Sequence, residues 1–128
     1  EYHNATLHLW DYDVSDTEEV KELRVAILSN RAQCMINIED WVECILLCNS
    51  ALKIDGMHGQ TFYRRGIAHS HLKAPGKWES AVDDFQNALK LDPDNKNAKR
   101  QIRRVKKMLT DTGTTRSTPL DGEFNLLI

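Results

Sequence analysis

The side chains best able to do chemistry in this 128-residue sequence gather in its middle and near its end. His58, His69 and His71 raise the question of a metal centre. On a helix, residues two apart point their rings in different directions, so His69 and His71 are not expected to share an ion. Cys44 and Cys48 stand four apart and can meet on one helix face. They fall in an apolar helical pattern, which predicts packed thiols rather than a redox pair. With Cys34 they make an odd count without metal-knuckle spacing. That predicts buried, unpaired thiols in a reducing compartment, cytoplasmic with the nucleus also open. The sequence has no Gly-rich phosphate loop, no nucleophile elbow and no Ser–His–Asp spacing. No enzyme active site, metal or cofactor is therefore expected.

A second group is cationic: Lys96, Lys99, Arg100, Arg103, Arg104, Lys106 and Lys107. Such a ridge suits an acidic protein surface or phosphates, or simply keeps a terminal helix soluble. No aromatic residues interleave with these cations, so base stacking is not expected and nucleic acid is a poor candidate partner. The net charge of −2 hides a strong polarity. Residues 1–55 carry −7, residues 56–110 carry +7 and the last 18 residues carry −2. An acidic half and a basic half in one chain also leave self-association open. No apolar run approaches the roughly 18 to 20 residues needed to cross a bilayer, so no membrane partner is expected.

Helices must position these groups, since 6 Gly and 3 Pro leave little room for a loop-rich β-fold. Apolar periodicity predicts helices over 18–37 (Val20, Leu23, Ile27, Leu28, Cys34 and Met35), 40–54, 58–72, 77–91 and 95–109, with one more over 1–12. Ser15 and Glu18 read as a capping box for the first of these, Asp40 as the cap of the next. Asp92-Pro93 ends the helix over 77–91, because a residue before proline avoids the α region. From Thr110 onward the composition predicts a flexible tail, 110–128. The first residue is Glu1, so a longer parent chain is expected.

The helices repeat. Ala32 and Gly66 align at an offset of 34. Trp41 aligns with Trp78, Cys44 with Ala81, Cys48 with Phe85 and Ala51 with Ala88, each at 37. The three extra residues fit at Ala74-Pro75-Gly76. The segment over 1–12 joins at 39, pairing Tyr2 with Trp41. Small residues at 32/66 and 44/81 let helices approach; bulky ones at 41/78 and 48/85 fill the spaces between. This pattern resembles the tetratricopeptide repeat. The resemblance implies an all-α helix-turn-helix solenoid of about two and a half repeats. Helix B of a truncated first repeat would occupy 1–12, full repeats 18–54 and 58–91, and a capping helix 95–109.

Phe62-Tyr63-Arg64-Arg65-Gly66 and Leu28-Ser29-Asn30-Arg31-Ala32 narrow the resemblance. Both are similar to the C-terminal repeats of FK506-binding-protein and cyclophilin-type immunophilins and related co-chaperones. The resemblance implies a protein-binding groove that holds the acidic C-terminal peptide of a heat-shock chaperone in a carboxylate clamp. A prolyl isomerase domain would lie upstream, outside this chain. Asn30 and Arg64 match clamp positions; Gln60 stands where the family has lysine. Arg65 and Arg31 are candidate supporting contacts. The alternatives are a scaffold for a non-chaperone partner, self-association, or a phosphate contact through the basic helix.

Overall fold

The computed structural model describes residues 17–112, and these form five helices. They are α1 (Glu18–Asn37), α2 (Trp41–Ile54), α3 (Gly59–His71), α4 (Lys77–Leu91) and α5 (Lys96–Asp111). The segment expected over 1–12, Ser15 and the chain beyond Thr112 lie outside the described residues. Each helix starts and stops for local reasons. Thr17, rather than Ser15, caps α1, its hydroxyl accepting from the Val20 amide. Asp40 caps α2 by accepting from the Glu43 amide, and Asn95 caps α5 by accepting from the Ala98 amide. Leu91 ends α4 just before Asp92-Pro93. α5 runs to Asp111, two residues past its expected end.

Consecutive helices pack as antiparallel pairs, α1 on α2 and α3 on α4. α3 also packs on α2, and α5 covers α4. α1 and α3 touch as neighbours, so the first helix of each pair lines one side of the stack. The α1–α2 turn is Ile38–Asp40, with Glu39 in the left-handed region at φ 62°. The α3–α4 turn is longer, Leu72–Gly76, and Gly76 takes φ 80° directly before α4. The longer turn falls where the changed repeat offset placed extra residues.

Most of the buried apolar residues form two clusters. Val25, Leu28, Ala32, Cys44, Leu47, Cys48, Ala51 and Ala68 make the first. Ala81, Phe85, Val105 and Leu109 make the second, with Tyr63, Ile67 and Trp78 packed against it. Thus α3 supplies side chains to both. Gly66 shows why its small size matters: a Cβ there would stand 2.7 Å from the Phe85 ring. Nothing larger than hydrogen fits unless the Phe85 ring or α4 itself shifts. Two apolar expectations on α1 need correction. Leu23 and Cys34 are exposed, because α1 buries the face of Val25, Leu28, Ser29 and Ala32 instead. All three cysteines are free thiols, but only Cys44 and Cys48 are buried. The contact with the Cys44 sulfur, and then burial, push the Cys48 thiol far above its ordinary range. It stays protonated, as expected of a packing residue.

Candidate functional site

α3 carries two adjacent arginines with opposite surroundings. Arg64 reaches across to α1. Its Nη1 donates to the Ser29 carbonyl oxygen at 2.7 Å and to the Ser29 hydroxyl at 2.8 Å. The Thr61 hydroxyl donates to the same Ser29 hydroxyl at 3.2 Å. His58 Nδ1 lies 2.7 Å from Thr61 Oγ1 and extends the chain. Ser29 and Thr61 are buried, and both hydroxyls are hydrogen-bonded. Burial lowers the Arg64 proton affinity from its ordinary value. Among the described residues Arg64 forms no ion pair. An arginine stays protonated at neutral pH, so its charge is left for a ligand.

Arg65 is neutralised. Its Nε and Nη2 grip the Asp84 carboxylate at 3.0 and 2.8 Å, and Nη1 donates to Asn49 at 2.9 Å. His69 Nδ1 lies 2.9 Å from Asp84 Oδ2, the oxygen that also accepts from Arg65 Nε, and Asp84 is almost wholly buried. The Arg65 guanidinium sits 5.6 Å from the Phe62 ring centroid. Donating to the Asp84 carboxylate raises the proton affinity of Arg65, with burial partly opposing. These contacts join α2, α3 and α4. The second histidine goes elsewhere: His71 stacks on Trp41 with centroids 4.2 Å apart.

Arg64 opens into a cleft of about 570 Å³. Gln33 of α1 lines it, with Met57, Gly59, Gln60 and Tyr63. Ala88, Leu91 and Asp92 from the end of α4 and Asn95 and Asn97 from the start of α5 complete it. The spacing of Gln60, Tyr63 and Arg64, three and four residues apart, puts them on one face of α3. Among the expected site residues, Gln60 and Arg64 are brought together here. Asn30 is exposed on α1 and is not among the lining residues; Gln33, three residues on, is. Arg31 borders a different cleft, with Arg24, Leu28 and Lys53. Arg65 is occupied by Asp84. The sequence reading missed Gln33, Tyr63, Asn95 and Asn97. A helical wheel could have found Tyr63, whereas Asn95 and Asn97 reach the cleft only through the packing of α5.

The basic residues of α5 are exposed, but they are not equivalent. Arg104 Nη2 donates to the Ser70 hydroxyl at 2.9 Å, and Nε donates to Gln101 at 2.8 Å. It fastens α5 to the end of α3. Arg100 Nη1 donates to Asn97 at 2.7 Å, and Lys107 pairs with Asp111 at 3.4 Å. Lys96, Lys99, Arg103 and Lys106 complete the ridge.

No family model matches the sequence. FK506-binding protein 59 of Drosophila melanogaster is 34% identical over 99 residues, covering 77% of this chain and 22% of the relative. The second repeat domain of human RPAP3, solved with the HSP70 peptide SGPTIEEVD, matches with a TM-score of 0.59. It is 33% identical, over 64% of this chain and 66% of that one. The first repeat domain of Spaghetti (RPAP3), bound to the HSP90 peptide SRMEEVD, matches with a TM-score of 0.64 at 26% identity. That match covers 67% of this chain and 66% of the other.

The chain is a tetratricopeptide-repeat domain. It resembles the C-terminal repeat regions of the immunophilins. It spans about a fifth of the length of the curated relatives it matches. In this tetratricopeptide domain no described helix is long and apolar enough to cross a membrane.

Proposed function

We propose that this tetratricopeptide domain is a non-enzymatic, cytoplasmic co-chaperone module. It holds the acidic C-terminal peptide of a heat-shock chaperone in the cleft beside Arg64. One observation carries the reading: Arg64 is a cation fixed by neutral oxygens, Ser29 O and Oγ, at the wall of a large open cleft. A carboxylate there gains charge-assisted hydrogen bonds from a donor already ordered. The solved neighbours that carry HSP90 and HSP70 peptides support the same reading. Titration with a peptide ending Glu-Glu-Val-Asp tests it. Amidating the peptide terminus, or Arg64→Ala, should each weaken binding by about tenfold or more. Equal weak signals from the free and amidated peptides would remove the proposal.

The α5 ridge favours a second reading, contact with phosphates or an acidic protein, which includes another copy of the chain. Phosphate contact predicts a steep salt dependence that disappears when Lys99, Arg100 and Arg103 are neutralised together. Arg104 is kept in that variant because it holds α5 in place. Light scattering over a concentration series tests self-association.

A further inference from the structure

We infer that the outward face of α2 is a docking surface for the basic ridge of α5 in a second copy of the chain. This rests on the acidic-protein reading of α5 and names the surface that the ridge meets. The fold leaves an apolar stripe bare on α2. Cys44, Leu47, Cys48 and Ala51 turn inward from that helix. At about 100° per residue, Val42 and Leu46 lie opposite them, and they are 60% and 54% exposed. Ile38, in the turn just before α2, is 67% exposed. α4 provides an internal control. The repeat offset of 37 aligns Val42 with Glu79 and Leu46 with Asp83, and both of those are exposed acids. Farther along, Asn49 aligns with Gln86 and Lys53 with Lys90, so the outward faces differ in kind only at the first two places. α2 is thus apolar on its open side as well as its covered one, the pattern of a helix with a further partner.

Charge selects the occupant. Residues 38–46 hold three acids, Glu39, Asp40 and Glu43, and no cation. None of these acids forms an ion pair among the described residues. α5 is the complement. It turns Ala98, Val105 and Leu109 inward, so Lys96, Arg100, Arg103 and Lys107, spaced four, three and four apart, form its outward row. The aliphatic stems of that row can lie on Val42 and Leu46 while the charged heads reach Glu39 and Glu43. Two α2 faces pressed together would instead gather the acids of both copies into one contact. The contact therefore joins unlike faces, α2 of one copy to α5 of the next.

The test is sedimentation of the whole chain over a concentration series at low salt. Self-association is expected, and it should weaken as salt rises. Val42→Lys with Leu46→Lys sets cations against the ridge. Arg100→Glu with Arg103→Glu reverses the centre of the ridge and keeps Arg104, which fastens α5. All four positions are exposed, and urea unfolding checks that each variant is folded. Each variant alone should stay monomeric where wild type associates. Their equimolar mixture should associate again, because each keeps the face that the other has lost. Val42→Ala with Leu46→Ala leaves every charge in place and should weaken association about tenfold. No change in that variant would overturn docking on the apolar stripe. If the α2 lysine variant still associates while the α5 variant does not, the ridge meets a different surface: the inference falls and the α5 reading stands. If only the α5 variant still associates, α2 faces something other than the ridge and the inference falls. A mixture that stays monomeric, or wild type that is monomeric at every concentration, overturns it as well. The α5 reading is then decided by its phosphate titration alone.

Discussion

Arg64 and Arg65 are neighbours in sequence and opposites in use. Arg65 is answered by a buried carboxylate, so its charge is spent inside the fold holding α4 against α3. Arg64 is anchored by a carbonyl and a hydroxyl, which orient it without cancelling its charge. A cation paired with an acid is structural; a cation pinned by neutral acceptors is available. The helix sets this division, since adjacent residues point about 100° apart, one toward α1 and the cleft, the other toward Asp84.

Removing each anchor measures the difference. Asp84→Ala should cost most, about 3 kcal/mol, because it strands Arg65 and His69 beside an empty site. Arg65 is partly exposed and can rehydrate, which places the expected loss at the lower end of the range for buried pairs. Urea unfolding checks it, and a loss below about 1 kcal/mol would make the pair an ordinary surface one. Next in size is binding. Arg64→Ala should lose about tenfold in peptide affinity, or about 1.4 kcal/mol, while Arg65→Ala, if folded, loses almost none. Matching losses in the two variants would erase the distinction. Ser29→Ala removes only the hydroxyl from the neutral anchor, and the Ser29 carbonyl remains. It should destabilise by about 1 kcal/mol in the same unfolding experiment and weaken peptide binding less than Arg64→Ala does.

The smallest expected effect lies at His71. Partial burial against Trp41, and then repulsion from Arg104, lower its pKa from the ordinary 6.5, with Glu39 partly opposing. The folded chain thus takes up this proton less readily than the unfolded one. The resulting stability is fully present above pH 6.5 and is lost as pH falls through the lower folded value. Melting temperatures at pH 7.5 and 5.5 should differ less in His71→Gln than in wild type. An unchanged pH slope would show that the stack does not couple to protonation.

Much of the fold was legible from the sequence because helical periodicity and repeated small residues both report on packing. Gly66 could be assigned a close helix contact from its alignment with Ala32, and the Phe85 ring is that contact. Cys34 and Leu23 were misplaced because a helical stripe broad enough to include them exceeds the strip that α2 and α3 cover. The site was less legible. Gln60 and Arg64 share a helix face, which spacing reveals. The partners that decide their roles are 35 residues away for Arg64 and 19 for Arg65, and no local pattern encodes either. Asn30 and Gln33 differ by three residues on α1, yet only the turn of the helix against α3 determines which borders the cleft.

The two separate apolar clusters have a consequence for how the molecule opens. Each helix pair is stabilised by itself and its immediate neighbours, so the ends can loosen without the whole unfolding at once. The cleft, however, spans the division: Gln33 comes from the α1–α2 end, Asn95 and Asn97 from α5. A ligand seated there behaves as a staple. It binds only when both ends are closed, and so merges two local opening events into one. Amide hydrogen exchange along α1 and α5, distinct in the free chain, should slow together on binding.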